Sequence, residues 1–309
     1  MPKLSIIIPC YFNEENIPVT AKALIANEAL FPADVSFEYV LVDDGSGDNT
    51  LGALQAFRAQ YPDRVRIVEL AANVGSYNAI VAGMEYATGD CNVVITADMQ
   101  DPPELMVKMF EHWRQGFRLV IGNRQDREEK GFSRVLATLF HRLMRRFALP
   151  NIPVGGFDYV MFDERIRREV VAMQERNSNV FYLMTWLGYP YVNIPYVRAK
   201  RSIGRSRWTL PKKLKLFADS FVSFSFFPIR AISVTGILLG IVALGYGLYL
   251  TALKLFGAQE PAGWTMLMVV LLFVSAFQMV ALGVLGEYVW RGLDAARKRP
   301  MYVVQQVYE

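Results

Sequence analysis

From the N-terminus to residue 121, short apolar runs alternate with amphipathic stretches. Runs at 4–8, 37–42, 65–70, 93–97 and 119–121 have the length of buried strands, and the segments between them, 14–30, 50–60, 77–87 and 104–114, carry apolar residues at helical spacing. Strands separated by single helices imply a mostly parallel sheet with crossover helices, an α/β fold. In such sheets ligands bind beyond the carboxyl ends of the strands. Those ends read Pro9-Cys10-Tyr11-Phe12-Asn13-Glu14, Asp43-Asp44-Gly45-Ser46, Ala72-Asn73-Val74-Gly75 and Thr96-Ala97-Asp98-Met99-Gln100-Asp101, so polar and acidic side chains converge there.

The alternation then lapses. Phe132, Val135, Leu136, Leu139, Phe140, Leu143, Met144 and Phe147 recur at helical spacing, with Arg134, Arg142, Arg145 and Arg146 on the other faces. This predicts an amphipathic helix over about 132–148, which either lies in a membrane interface or packs on the sheet with its arginines in water. Leu210, Leu214, Phe217, Phe221 and Phe224 form a similar stripe. Two uncharged apolar runs follow, 231–253 and 264–286, each long enough to cross a hydrocarbon core of about 30 Å. The turn between them contains Gly257, Pro261 and Gly263, so the pair reads as a helical hairpin. Soluble core helices of this length usually carry a polar face, which these runs lack. The expected organisation is a globular domain over 1–209, a juxtamembrane amphipathic helix over 210–228, two spans within 229–290 and a tail over 291–309.

Charge gives the hairpin an orientation. Arg230 precedes the first run, Arg291, Arg297, Lys298 and Arg299 follow the second, and the intervening turn offers Lys254 alone. Basic flanks favour the cytoplasmic side, and residues 1–9 do not resemble a signal peptide. The expectation is an inner (cytoplasmic) membrane protein with its globular domain and both termini in the cytoplasm. Cys10 and Cys91 fit a reducing compartment as small buried hydrophobes. The net charge is only +4, yet eight basic residues and no acidic one lie between Arg198 and Lys215. Beside a bilayer, that cluster suits anionic head groups or a phosphate-bearing substrate. No helix-turn-helix, zinc or RNA-binding signature accompanies it, which argues against nucleic acid as a partner.

The most specific stretch is 96–104. Asp98 and Gln100 follow an apolar strand and, two apart in an extended segment, point the same way. Pro102-Pro103-Glu104 then suits a helix start. A carboxylate and an amide oxygen so placed can hold a hard divalent cation, Mg²⁺ or Mn²⁺, whose other ligands are substrate phosphates and water. The alternative is that Asp98 caps the next helix. Asp43 and Asp44, with Asp48, form either an ordinary acidic turn or a set of acceptors for a base N–H or a ribose hydroxyl. No Gly-x-Gly-x-x-Gly follows the first strand and no Gly-Lys-Ser/Thr is present, which argues against dehydrogenase and P-loop chemistry. His112 and His141 lie in helical patterns without matching ligands, as packing residues do.

In order along nearly the whole chain stand Pro9, an aromatic and Asn13-Glu14; Val42-Asp43-Asp44-Gly45-Ser46; Asn73-Val74-Gly75; Asp98-Met99-Gln100-Asp101-Pro102-Pro103-Glu104; Arg201-Ser202-Ile203-Gly204-Arg205-Ser206-Arg207-Trp208; and Leu285-Gly286-Glu287-Tyr288. This series resembles the family 2 glycosyltransferases of the GT-A fold, in particular the polyprenyl-phosphate sugar transferases related to dolichyl-phosphate mannose synthase and bacterial undecaprenyl-phosphate glucosyltransferase. The resemblance implies a nucleotide pocket at Pro9, Tyr11, Glu14, Asp43, Asp44 and Asp98, a metal site at Asp98 and Gln100, and an acceptor-side carboxylate at Asp158. Two departures stand out. Thr96 replaces the first carboxylate of the usual Asp-x-Asp, and one extra residue between Pro9 and Asn13 leaves Tyr11 and Phe12 both able to face the base.

The implied reaction moves a hexose from a nucleotide sugar to polyprenyl phosphate with inversion, with glucose from UDP-glucose expected. GDP-mannose and an amino-arabinose donor are alternatives, as is a scaffold or lipid-binding protein with an inactivated transferase domain. Bringing two anionic substrates together requires cations, and Arg124, Arg127, Arg201, Arg205 and Arg207 are the candidates for the acceptor phosphate. The second pKa of a phosphate monoester, near 6, leaves it largely ionised at neutral pH, so Asp158 is expected to orient the acceptor or the sugar rather than act strictly as a base. A homo-oligomer is compatible with the chain.

Overall fold

The computed structural model describes residues 1–124, 142–153, 157–199, 219–256 and 263–309. An eight-stranded mixed sheet forms its centre, in the order β7-β5-β6-β4-β1-β2-β3-β8. The strands are β1 (Lys3–Cys10), β2 (Ser36–Asp43), β3 (Val65–Leu70), β4 (Cys91–Val94), β5 (Leu119–Arg124), β6 (Tyr159–Asp163), β7 (Tyr191–Tyr196) and β8 (Val304–Tyr308). The predicted parallel arrangement holds for β3, β2, β1 and β4, and β7, which the pattern did not predict, pairs in parallel with β5. Two strands run against it: β6, between β4 and β5, and β8, outside β3.

The first crossover helices are α1 (Ile17–Glu28), α2 (Thr50–Gln60), α3 (Ser76–Tyr86) and α4 (Leu105–Arg114). Alternation within each strand feeds two apolar layers. Leu4, Ile6, Ile8, Tyr39, Leu41 and Ile67 join one buried cluster with Leu24, Leu54, Phe57, Met109 and Phe110 from α1, α2 and α4. Ile7 belongs to the other layer, where α3 lies so close that a side chain at Gly83 would meet Ile7 Cγ2 at 2.5 Å. After β6 come α5 (Glu164–Met173) and α6 (Val180–Trp186), whose first turns are capped by Asp163 and Asn179. Cys10 and Cys91 are free thiols, both buried as expected.

The chain divides into two compact units, Met1–Ser223 with Pro300–Glu309, and Phe224–Arg299. The second holds α7 (Phe227–Leu255) and α8 (Trp264–Arg297), both long and apolar enough to cross a membrane. Large apolar side chains such as Leu238, Ile241, Leu248, Leu271, Phe273 and Met279 are exposed on them. Helices of a soluble core would bury that surface; here it calls for lipid or another apolar partner. The residues expected to form a tail contain β8, a strand of the first unit's sheet. Of the predicted amphipathic helix at 132–148, residues 132–141 lie outside the described residues. Residues 142–147 are helical, with Met144 buried and Arg142, Arg145 and Arg146 exposed. Of 210–228, the part up to 218 lies outside the described residues, and 219–224 is helical.

Candidate active site

The sheet brings the sequence-predicted carboxylates to one edge. Cys10 pairs in register with Asp43 across β1 and β2, and Ile95, following β4, donates its N–H to Ile7 O of β1. The segments after β2 and β4 therefore flank the segment after β1.

After β1 the chain turns through Phe12, whose φ of 55° is left-handed, an uncommon conformation for so bulky a residue. Its N–H donates to Ser46 Oγ at 3.1 Å, and its ring stands edge-on to Tyr11 with centroids 4.7 Å apart. A side chain at Gly47 would come within 3.3 Å of the Phe12 ring, so the aromatic pair overhangs the acidic turn. Pro9 is partly buried at the end of β1. Glu14 is exposed and accepts from Asn49 N at 3.2 Å, bracing the start of α2.

Asp43 and Asp44 are both about 3% exposed and do different work. Asp43 accepts from Ser46 N, closing its own turn. Asp44 reaches across to the loop after β3, where Oδ1 accepts from Val74 N at 2.7 Å and Oδ2 from Gly75 N and Asn73 Nδ2 at 3.1 and 2.8 Å. Both its oxygens are thus engaged within the chain, which makes Asp44 a pin between two loops of the pocket wall. Burial pushes the Asp44 carboxyl up to about 6, against the lowering effect of the Val74 and Gly75 amides. Relative to an unfolded value of about 3.9, the folded protein retains this proton over roughly pH 4 to 6. Its contribution to stability is therefore complete below about pH 4 and is lost as pH rises through about 6. Wild type should accordingly lose stability relative to Asp44→Asn across that window, read as the difference in unfolding midpoint at each pH. A constant difference would refute the shift.

The third group lies around Asp98. Thr96 Oγ1 is 2.8 Å from Asp98 Oδ1 and 3.0 Å from Asp101 Oδ2, placing a hydroxyl between two carboxyls where a second carboxylate was expected. A hydroxyl has one proton to donate, so a protonated carboxyl is needed for both contacts to be hydrogen bonds. Asp101 is fully buried, and its pKa is raised, by burial first and by Asp158 second. Tyr196 donates to Asp101 at 2.6 Å, and Arg198 Nε lies 3.3 Å from the same oxygen. Asp98 also accepts from Gln100 N, while α4 starts only at Leu105 with Glu104 at its N-cap. Asp98 therefore does not cap that helix.

Among the described residues no group of three or more His, Cys, Asp or Glu forms a metal cluster. Met99 is left-handed, with φ 52°, so residues 98–100 form a turn and the expected extended alternation of Asp98 and Gln100 does not hold. By donor type, a carboxylate and an amide oxygen still fit a hard cation that takes one or two protein ligands and substrate phosphates. Gln100 Nε2 donates to Ala199 O at 3.2 Å, and because a carbonyl must face the NH₂ group, this fixes the side-chain oxygen as the free end.

Asp158 is held by Arg124 through a direct ion pair, and Arg198 Nη1 approaches the same oxygen at 4.0 Å. Arg124 Nε also contacts the Tyr196 hydroxyl at 3.3 Å. Burial is the largest influence on Arg124 and acts to lower its pKa, but Asp158, Tyr196 and Asp101 together outweigh it and the net shift is upward. Arg124, expected to meet an acceptor phosphate, is thus occupied by Asp158 here. Arg127, Arg201, Arg205 and Arg207 lie outside the described residues. His112 packs edge-on to Phe117, as a structural residue would, and His141 lies outside the described residues.

Sequence reasoning missed Asp101, Tyr196 and Arg198 as members of this site. Asp101 stood within the motif already singled out, and Arg198 opened the basic run. Nothing local marked Tyr196, which arrives through the β5–β7 pairing.

An α/β domain with carboxylates gathered past its parallel strand ends and an amide–carboxylate pair suited to a phosphate-bound cation has the makings of a nucleotide-dependent transferase. The family model for glycosyl transferase family 2 matches residues 5–171, and the chain belongs to that family. It is a glycosyltransferase whose α/β domain is accompanied by two further apolar helices. An uncharacterized glycosyltransferase, YkcC, of Bacillus subtilis (strain 168) is 36% identical over 98% of this chain and 94% of its own. A prophage bactoprenol glucosyl transferase homolog of Escherichia coli (strain K12) is 31% identical over 99% of each chain. An undecaprenyl-phosphate 4-deoxy-4-formamido-L-arabinose transferase of Sodalis glossinidius is 30% identical over 99% of this chain and 94% of its own.

Proposed function

We propose that the protein transfers a hexose, glucose from UDP-glucose, to undecaprenyl or a related polyprenyl phosphate at the cytoplasmic membrane face, with inversion at the sugar. The observation that carries this reading is the convergence of Asp98 and Gln100 with the Arg124–Asp158–Arg198 group in a chain that also bears two exposed apolar helices. The bactoprenol and undecaprenyl-phosphate relatives, similar over nearly their full length, support the acceptor class.

The nucleotide occupies the pocket formed by Pro9, Tyr11, Glu14, Asp43 and Asp44, with Phe12 in reach of the base. Asp98 and the Gln100 side-chain oxygen would hold Mg²⁺ or Mn²⁺, which when bound would supply positive charge to stabilise a departing diphosphate. Asp158 lies between two guanidinium groups and needs to remove no proton from an acceptor phosphate that is already largely ionised. Its role is to orient the acceptor or the sugar. Arg127, Arg201, Arg205 and Arg207 bind the acceptor phosphate, joined by Arg124 when the anion competes with Asp158.

Orientation has a topological support. β8 pairs in the same sheet as β1, so both ends of the α7–α8 segment return to one domain and the number of membrane crossings between them is even. Two spans satisfy this, and the basic flanks support a cytoplasmic position for the domain.

The test is transfer of labelled sugar to undecaprenyl phosphate in vesicles from UDP-glucose, GDP-mannose and a UDP-amino-arabinose donor, with the product anomer assigned by NMR. Glucose transfer to a β-linked product is expected. Preference for another donor would change the sugar, an α-linked product would overturn inversion, and hydrolysis without transfer from every donor would remove the acceptor reading.

A further inference from the structure

The strand that ends the chain lies next to the nucleotide side of the sheet. In register, Asp43 stands beside Glu69, and Glu69 beside Gln306. Two residues further, Ala71 donates its N–H to Val303 O at 2.9 Å, just past the point where the β3–β8 pairing shifts register between Glu69 and Leu70. Side chains fasten the same strip: Tyr308 donates to Glu69 at 2.9 Å, Tyr302 bonds to Glu85, and Met301 is buried.

On its other side, this segment leads directly into the pocket wall. Gly45 has φ +64°, and a side chain there would meet Ala72 C and Asn73 N at 2.8 Å, so the acidic turn and the loop after β3 touch backbone to backbone. Asn73, Val74 and Gly75 then hold both oxygens of Asp44. Residues 71–75 have no regular secondary structure of their own, so their position rests on Val303 on one flank and Asp44 and Gly45 on the other. Without β8, β3 would be an open edge and the start of this loop would lose its outer partner.

We propose that residues 303–308 are a positioning element of the nucleotide pocket: they clamp the 71–75 loop against Asp44, so the segment leaving the second apolar helix sets affinity for the nucleotide. The proposal rests on the nucleotide-sugar reading of the site. It makes residues far from the acidic turn in sequence part of its support.

The test uses the full-length protein in lipid nanodiscs and a variant lacking residues 303–309. Amide exchange at Val74 and Gly75 should be at least about tenfold faster in the variant, with Ile121 and Met161 in β5 and β6 unchanged. The Kd for UDP should rise at least about fivefold, while the KM for polyprenyl phosphate stays within about twofold. Tyr308→Phe, which removes the hydroxyl that bonds Glu69 and Gln55 while leaving the strand in place, should shift exchange and Kd in the same direction by less. Unchanged exchange at Val74 and Gly75 would overturn the proposal. So would equal acceleration at Ile121 and Met161, which would mark β8 as a general stabiliser. Failure of the wild type to bind UDP or GDP would condemn the nucleotide reading instead, and the exchange comparison would still decide the role of β8.

Discussion

Asp98→Asn is expected to lower sugar transfer about a hundredfold or more while leaving the domain folded. The asparagine side chain retains an oxygen that can accept from Thr96 Oγ1 and Gln100 N, so the local turn keeps its hydrogen bonds. What disappears is negative charge at the proposed cation site, where a neutral amide is a poor substitute for a hard ion's carboxylate ligand. Thr96 sharpens the effect, because the residue that would ordinarily share the load is a hydroxyl already engaged with Asp98 and Asp101. Initial rates at limiting Mg²⁺ or Mn²⁺, with an unfolding curve as control, provide the measurement. Near-normal turnover at low cation would remove Asp98 from the metal site.

The second large effect separates chemistry from anchoring. Replacing residues 224–299 by a flexible Gly/Ser linker removes both apolar helices yet retains the strip that forms β8, which a simple truncation before α7 would also delete. The resulting protein is expected to bind nucleotide as wild type does. Transfer to undecaprenyl phosphate in vesicles should fall by about a hundredfold, because the anchor confines enzyme and lipid to one surface and raises their effective concentration. A short, water-soluble isoprenyl phosphate should largely escape the loss. Should the folded, nucleotide-binding protein be inactive on both acceptors, the helices must contribute directly to the active site, and a purely anchoring role would be wrong.

Much of this architecture is written in local pattern. Four apolar runs with helices between them sufficed for the parallel β3-β2-β1-β4 core, because a strand buried on both faces and an amphipathic crossover helix each announce themselves within a few residues. The helix pair α7 and α8 was legible for the same reason, since an uncharged run of that length has few structural uses. The acidic strand ends were legible as a set because a parallel sheet delivers every carboxyl end to one edge.

Which carboxylate does what could not be read that way. Asp43 and Asp44 are neighbours of one residue type, yet only the fold turns Asp44 onto Val74 and Gly75, about thirty residues away. Arg124 had the same sequence signature as a phosphate-binding arginine. Its ion pair with Asp158 depends on β6 running antiparallel beside β5, a pairing with no local signal. Tyr196 and Arg198 reach Asp101 because β7 pairs in parallel with β5, and β8 joins the sheet from beyond two apolar helices. Periodicity determined the elements, the parallel core and the chemical character of its edge, because these follow from contacts a few residues apart. The partner of each charged group and the closing strands were decided by tertiary structure, because contacts between residues tens to hundreds of positions apart exist only once the sheet has assembled.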